Sequence, residues 1–141
     1  MKVVLDANVF ISAFMKSGSK PYNAMRKALS DFETIVPRQF VKDVYSFAVQ
    51  AKKKKVKINP DDFIVTIAEL EKSGLIEVVE VNKVVDISQH EADNHYISAA
   101  IENHAEILIS GDKDLTCEKV VKACSKMGLR ILKPAEFLEL F

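Results

Sequence analysis

Five short apolar runs recur along this chain, each set off from the next by a stretch of helical character. They are KVVL at 2–5, ETIV at 33–36, IEVVEV at 76–81, EILIS at 106–110 and LRIL at 129–132. Runs this short and this apolar suit strands buried on both faces of a sheet. The intervening stretches carry helix start and stop signals. VFISAFM follows the first run, and a second helix covers about 22–29. Pro37 opens a helix through RQFVKDVYSFAVQA that runs into the lysines of 52–57, and Asn59-Pro60 caps and starts the next, which Gly74 stops. Ser88 is expected to cap a helix over 89–103, with Glu91 completing a capping box. A helix over 115–127 ends at Gly128, and PAEFLELF closes the chain as a short helix. Strict strand–helix alternation predicts an α/β fold: a three-layer α/β/α sandwich with a mostly parallel sheet and right-handed crossovers.

The chain's 141 residues suit one domain, 1–141, able to bury a core without disulfide or zinc staples. Hydrophobic residues make up 48%, which excludes a disordered class, and polar residues interrupt every apolar stretch before membrane length. The opening MKVVLDANVF reads as a core strand rather than a signal peptide. Cys117 and Cys124 are seven apart and are read as reduced packing thiols of a cytoplasmic protein. No CxxC or nearby histidine pair completes a zinc site.

Net charge is zero but unevenly spread. Residues 1–60 hold 12 Lys/Arg against 4 Asp/Glu, and residues 61–141 hold 8 against 16, about +8 and −8. A basic face beside an acidic cleft suits a nuclease better than a purely electrostatic binder of nucleic acid, which would be basic overall.

Sites in open parallel sheets form at the carboxyl ends of strands. Two apolar strands here run directly into an aspartate: KVVL into Asp6, and EILIS-Gly into Asp112. A lone aspartate after a strand is most often a turn former or a helix cap. Two of them, each after a fully apolar strand, weaken that reading, and Asp114 adds a carboxylate just beyond. Asp93 lies in the first turn of the predicted 89–103 helix, where an acid also favours the positive end of the helix dipole. The apolar positions of that helix are Ala92, Tyr96, Ala99 and Ala100, a small face able to lie close on the sheet. Asp43 borders the apolar face Phe40, Val41, Val44, Phe47 and Ala48. Alone it would be a solvated charge beside Lys42. Clustered carboxylates repel one another unless a cation neutralises them. Hard divalent ions take oxygen ligands, polarise phosphate and activate water.

Taken together, these stretches resemble the PIN-domain family of small metal-dependent ribonucleases, often toxins of toxin–antitoxin pairs. VVLDANVFISAF is similar to the family's first strand and its Asp-x-Asn turn. ADNHYISAAIENHAEILISGDKDL is similar to its acidic helix and the strand ending in Ser/Thr-Gly-Asp-Lys-Asp-Leu. ILKPAEFLELF is similar to its final strand and helix. The resemblance implies the strand order 3-2-1-4-5. It implies metal carboxylates at Asp6, Asp93 and Asp112, a bracing role for Asn8, and Ser110 where the family often has threonine. The family's second acid is usually glutamate in a Leu-Leu-x-Glu-Leu frame. Here Phe40-Val41-Lys42-Asp43-Val44 supplies the shorter aspartate. Asp114 stands as an extra ligand or supporting group.

The reading that follows is a Mg²⁺- or Mn²⁺-dependent endoribonuclease whose four acids are Asp6, Asp43, Asp93 and Asp112. Its expected partners are single-stranded or structured RNA, a cognate antitoxin and a second copy in a homodimer, with no membrane. Lys52, Lys53, Lys54 and Lys55 are most simply a solvated helix end; the functional alternative is an edge that tracks phosphates. His90, His95 and His104 are read as surface or packing residues. Two other classes stay open: a PIN-like module that binds RNA or protein without cutting, favoured by the aspartate at 43, and an aspartyl-phosphate phosphotransferase. The latter usually wants Asp-x-Asp where this chain has Asn8.

Overall fold

Consecutive residues of a strand point to opposite faces, so unbroken burial along a strand means that both faces of its sheet are covered. Val3, Val4 and Leu5 are all buried, as are Ile107, Leu108 and Ile109. In the computed structural model, which describes residues 1–54 and 59–141, these runs are two of the three interior strands of a five-stranded sheet. The strands are β1 (Lys2–Leu5), β2 (Glu33–Pro37), β3 (Ile76–Val79), β4 (Ile107–Ile109) and β5 (Arg130–Leu132). Their order is β3-β2-β1-β4-β5 and every pairing is parallel.

Among the described residues eight helices cover the sheet: α1 (Ala7–Met15), α2 (Lys20–Asp31), α3 (Arg38–Lys53), α4 (Pro60–Lys72), α5 (Glu91–Glu102), α6 (Lys113–Thr116), α7 (Glu118–Ser125) and α8 (Pro134–Leu140). Small side chains let α5 lie close on β1, β2 and β4, since Ser98, Ala99 and Ala100 are all buried. A cluster of aromatic rings fixes α1 against α3 and α4. Phe10 meets Phe40 edge-on at 5.4 Å between centroids and Phe63 at 6.2 Å, while Phe47 meets Phe63 at 5.9 Å. That packing sets the angle at which Asp6, just before α1, faces Asp43 on α3.

Three local expectations are corrected. The helix expected from 89 begins at Glu91, and its N-cap is His90, without a side-chain cap bond. No capping box joins Ser88 to Glu91. Instead Asn94 reaches back: its Oδ1 accepts from the backbone N–H groups of Ile87 (3.1 Å) and Ser88 (2.7 Å), and its Nδ2 donates to the Ser88 carbonyl (3.0 Å). Those bonds occupy the backbone of 87–88 and delay entry into the helix. The helix expected over 115–127 is two helices, broken at Cys117, whose backbone is extended. Asp112 caps the short α6, while Val120 and Cys124 of α7 are buried beside β5. Cys117 is accordingly exposed at the break, and only Cys124 packs inside. The expected 76–81 strand ends at Val79, because its partner β2 ends at Pro37, opposite Val79, and the chain there turns into α3.

A candidate acidic active site

β1 and β4 are parallel neighbours in register, Leu5 beside Ile109, so both leave the sheet at the same edge. The Asp6 N–H donates to the Ile109 carbonyl at 3.0 Å, extending the ladder to the first acid. Each chain then turns into a helix, and each aspartate caps one. Asp6 Oδ1 accepts from the Asn8 N–H (3.4 Å) and Asp112 Oδ1 from the Asp114 N–H (2.9 Å). Capping and site formation are therefore one arrangement here. The brace expected from Asn8 comes from its backbone; its exposed side chain lines the cleft.

Ser110 ties the two strand ends together. Its fully buried hydroxyl donates to Asp6 Oδ2 at 2.6 Å and accepts from the Asp112 N–H at 3.0 Å. Asp93 arrives from the first turn of α5, where the Ser88 hydroxyl donates to its Oδ2 at 3.4 Å. Asp43 arrives from α3 with both oxygens engaged. Gln39 Nε2 donates to Oδ1 at 2.8 Å and the Tyr96 hydroxyl to Oδ2 at 2.7 Å. Asp114, just past Asp112, has its Oδ2 3.0 Å from His90 Nε2.

These groups line one cleft of about 400 Å³ that holds Asp6, Asn8, Asp43, His90, Asp93, Asp112 and Asp114. The tightest grouping within it is Asp93, Asp112 and Asp114, each offering an oxygen within 4.8 Å of the others. Asp6 and Asp43 line the same cleft outside that grouping. Burial pushes the Asp6 carboxyl up to about 6, against the pull of the Ser110 hydroxyl and the Asn8 amide and with added repulsion from Asp112 and Asp43. Asp93 is pushed up to about 7, by burial first, then by Asp112 and Asp6, with His90 opposing. Burial, then Asp6 and Asp43, holds the Tyr96 phenol well above its usual range, so it remains a neutral donor. Burial first, and the neighbouring acids second, disfavour the charged forms of Asp6 and Asp93 in this cleft.

A family profile described as a PIN domain matches residues 2–114, most of the chain. The chain belongs to the PIN-domain family. An uncharacterized protein of Methanocaldococcus jannaschii is 26% identical over 145 residues, covering all of this chain and 92% of that protein. Two solved structures share the fold. One is VapBC2 from Rickettsia felis bound to a DNA fragment from their promoter (TM-score 0.63, 12% identity, 94% of this chain and 98% of that one). The other is FitAcB from Neisseria gonorrhoeae (TM-score 0.56, 13% identity, the same coverage).

In this PIN domain Lys52, Lys53 and Lys54 are exposed at the end of α3, about ten residues or roughly 15 Å of helix beyond Asp43. Lys55 lies outside the described residues. His90, read from sequence as a surface or packing residue, lines the cleft and pairs with Asp114. Sequence reasoning missed Gln39 and Tyr96 as well. Both stand in plain spacing: Gln39 is four before Asp43 on one helix and Tyr96 three after Asp93 on another, each on the face its acid uses. Nothing in the sequence pairs α3 with α5, so the bond between Tyr96 and Asp43 was out of reach.

Proposed function

We propose that this PIN domain is a Mg²⁺- or Mn²⁺-dependent endoribonuclease and the toxin of a toxin–antitoxin pair. The observation that carries the reading is the convergence of Asp93, Asp112 and Asp114 within 4.8 Å in the cleft. An all-carboxylate donor set suits a hard divalent cation, and a cation would offset the burial and the mutual repulsion that raise Asp6 and Asp93. Asp93 and Asp112 are the holding residues on this reading, with Asp114 the third oxygen and Asp6 the acid behind them. When bound, the ion supplies charge to the scissile phosphate and acidity to the attacking water.

The chain's own groups do the rest. Ser110 holds Asp6 and the Asp112 backbone in one frame. Asp43, outside the tight grouping, would orient the water. Lys52–Lys54 would track the RNA backbone where it leaves the cleft. The likeness to VapBC2, solved on promoter DNA, supports assembly with a DNA-binding partner, the cognate antitoxin. Self-association into a homodimer belongs to the same reading and is measured by light scattering. No helix among the described residues is long and apolar enough to cross a membrane.

The decisive experiment incubates purified, antitoxin-free protein with single-stranded RNA. Cleavage should require Mn²⁺ or Mg²⁺ and stop with EDTA. RNA that binds but stays intact would instead support the non-cutting module, the reading favoured by aspartate at 43.

A further inference from the structure

Asp43 is one methylene shorter than a glutamate, so a carboxylate at this position needs help to act at a defined point in the cleft. The structure supplies that help from two helices. On α3, Gln39 one turn earlier donates Nε2 to Asp43 Oδ1 at 2.8 Å. From α5, the Tyr96 hydroxyl donates to Oδ2 at 2.7 Å. Tyr96 is only 1% exposed, so its ring is held by the core while its hydroxyl reaches Asp43, which lines the cleft. The Ala7 amide, at the start of α1, lies beside the same phenol oxygen, and Asp6 is close enough to repel the phenolate. The phenol therefore sits where α1, α3 and α5 meet.

We infer that Tyr96 and Gln39 are positioning residues: together they clamp the Asp43 carboxylate in one orientation and make the shorter acid serviceable in the cleft. The proposal rests on the nuclease reading above. A phenol has one proton to give, and its direction is set by a buried ring with few rotamers. Gln39 fixes the other oxygen, so the plane of the carboxylate cannot turn. Each oxygen keeps a lone pair beyond the one its donor occupies, and these are what Asp43 presents to a water or a substrate hydroxyl. A buried tyrosine hydroxyl needs a partner in any case. The clamp is set apart from that by Gln39, which is half-exposed and free to hydrogen-bond water yet converges on the same carboxylate.

The test measures kcat and KM on a single-stranded RNA with Mn²⁺. Tyr96→Phe keeps the ring and removes the donor. It should lower kcat about tenfold or more, while KM and the Mn²⁺ concentration for half-maximal rate stay within about threefold. Gln39→Ala, on the half-exposed side and with no core to disturb, should lower kcat about threefold in the same pattern. In an Asp43→Ala background Tyr96→Phe should have no further effect on kcat, since the group it positions is gone. A Tyr96→Phe variant that folds and cuts as fast as the wild type overturns the clamp while leaving the nuclease reading intact. Equal losses from Tyr96→Phe with and without Asp43 overturn it too, showing a general effect on the core. If Tyr96→Phe fails to fold, Gln39→Ala alone decides: unchanged kcat rejects the clamp, and a selective loss that vanishes in Asp43→Ala supports it. A wild-type chain that cuts no RNA overturns the nuclease reading and the clamp's role with it.

Discussion

The two sides of the acidic cleft are built differently. On one side Asp93 and Asp112 each have one oxygen held, by the Ser88 hydroxyl and the Asp114 amide, and Asp114 has one oxygen 3.0 Å from the His90 imidazole. Among the described residues each leaves its second oxygen without a protein donor. On the other side Asp6 and Asp43 have both oxygens engaged: Asp6 by Asn8 and Ser110, Asp43 by Gln39 and Tyr96. The first side brings one oxygen of each acid within 4.8 Å of the others, a spacing that suits the ligands of a cation. The second offers carboxylates already fixed in direction. Five nearby acids therefore do not have five equivalent roles, and the donors around them, more than their proximity, separate the roles.

The sharpest way to break this comparison is to neutralise one acid from each side. Asp112→Asn should abolish cleavage, by on the order of a hundredfold or more, and erase the rise in melting temperature that millimolar Mn²⁺ produces. Asp6→Asn should cost comparable activity but retain much of the Mn²⁺ shift, because the converging oxygens of Asp93, Asp112 and Asp114 remain. Cleavage assays and thermal melts on both variants check this. If Asp6→Asn loses the Mn²⁺ shift as completely as Asp112→Asn, the two sides act as one metal site and the division fails.

A second, smaller effect follows from proton linkage. Asp6 titrates near 6 and Asp93 near 7 in the fold, against 3.8 unperturbed. Between those limits the native state binds more protons than the unfolded chain. What these two acids add to metal-free stability is therefore fully present below the unperturbed value and lost as pH rises through 6 and 7. Between pH 5 and pH 8 the fall should be on the order of 3 kcal/mol in total. Mn²⁺ needs the ionised acids, so its stabilising effect should grow over the same window. Denaturant melts at pH 5 and pH 8, with Mn²⁺ and with EDTA, measure both slopes. Metal-free stability that rises from pH 5 to pH 8 would show that the acids are not held against their repulsion.

The smallest expected effect lies outside the cleft. Changing Lys52, Lys53 and Lys54 to glutamine should weaken RNA binding severalfold, with kcat little changed. The salt dependence of binding should flatten by about one unit of log-log slope for each phosphate left without its lysine. Filter binding at several salt concentrations reads this directly. An unchanged slope would leave those lysines as the solvated end of α3.

Sequence alone determined the alternation of strands and helices, and with it the parallel sheet. Residues 2–5 and 106–110 are too short and too apolar to be anything but interior strands once helical segments surround them. It also put Asp6 and Asp112 at strand ends, since an aspartate that stops an apolar run sits where a parallel sheet opens. The resemblance, resting on local motifs, supplied the strand order and the candidate status of Asp43 and Asp93. The tertiary structure alone decided which oxygens remain free. Whether Asp43 meets a phenol depends on how α3 and α5 pack beside each other over β2, not on any spacing along the chain. The start of α5 escapes a sequence reading for a related reason. Ser88 and Glu91 have the spacing of a capping box, but Asn94 competes for the same backbone, and three bonds from one buried amide outweigh the two that the box would make.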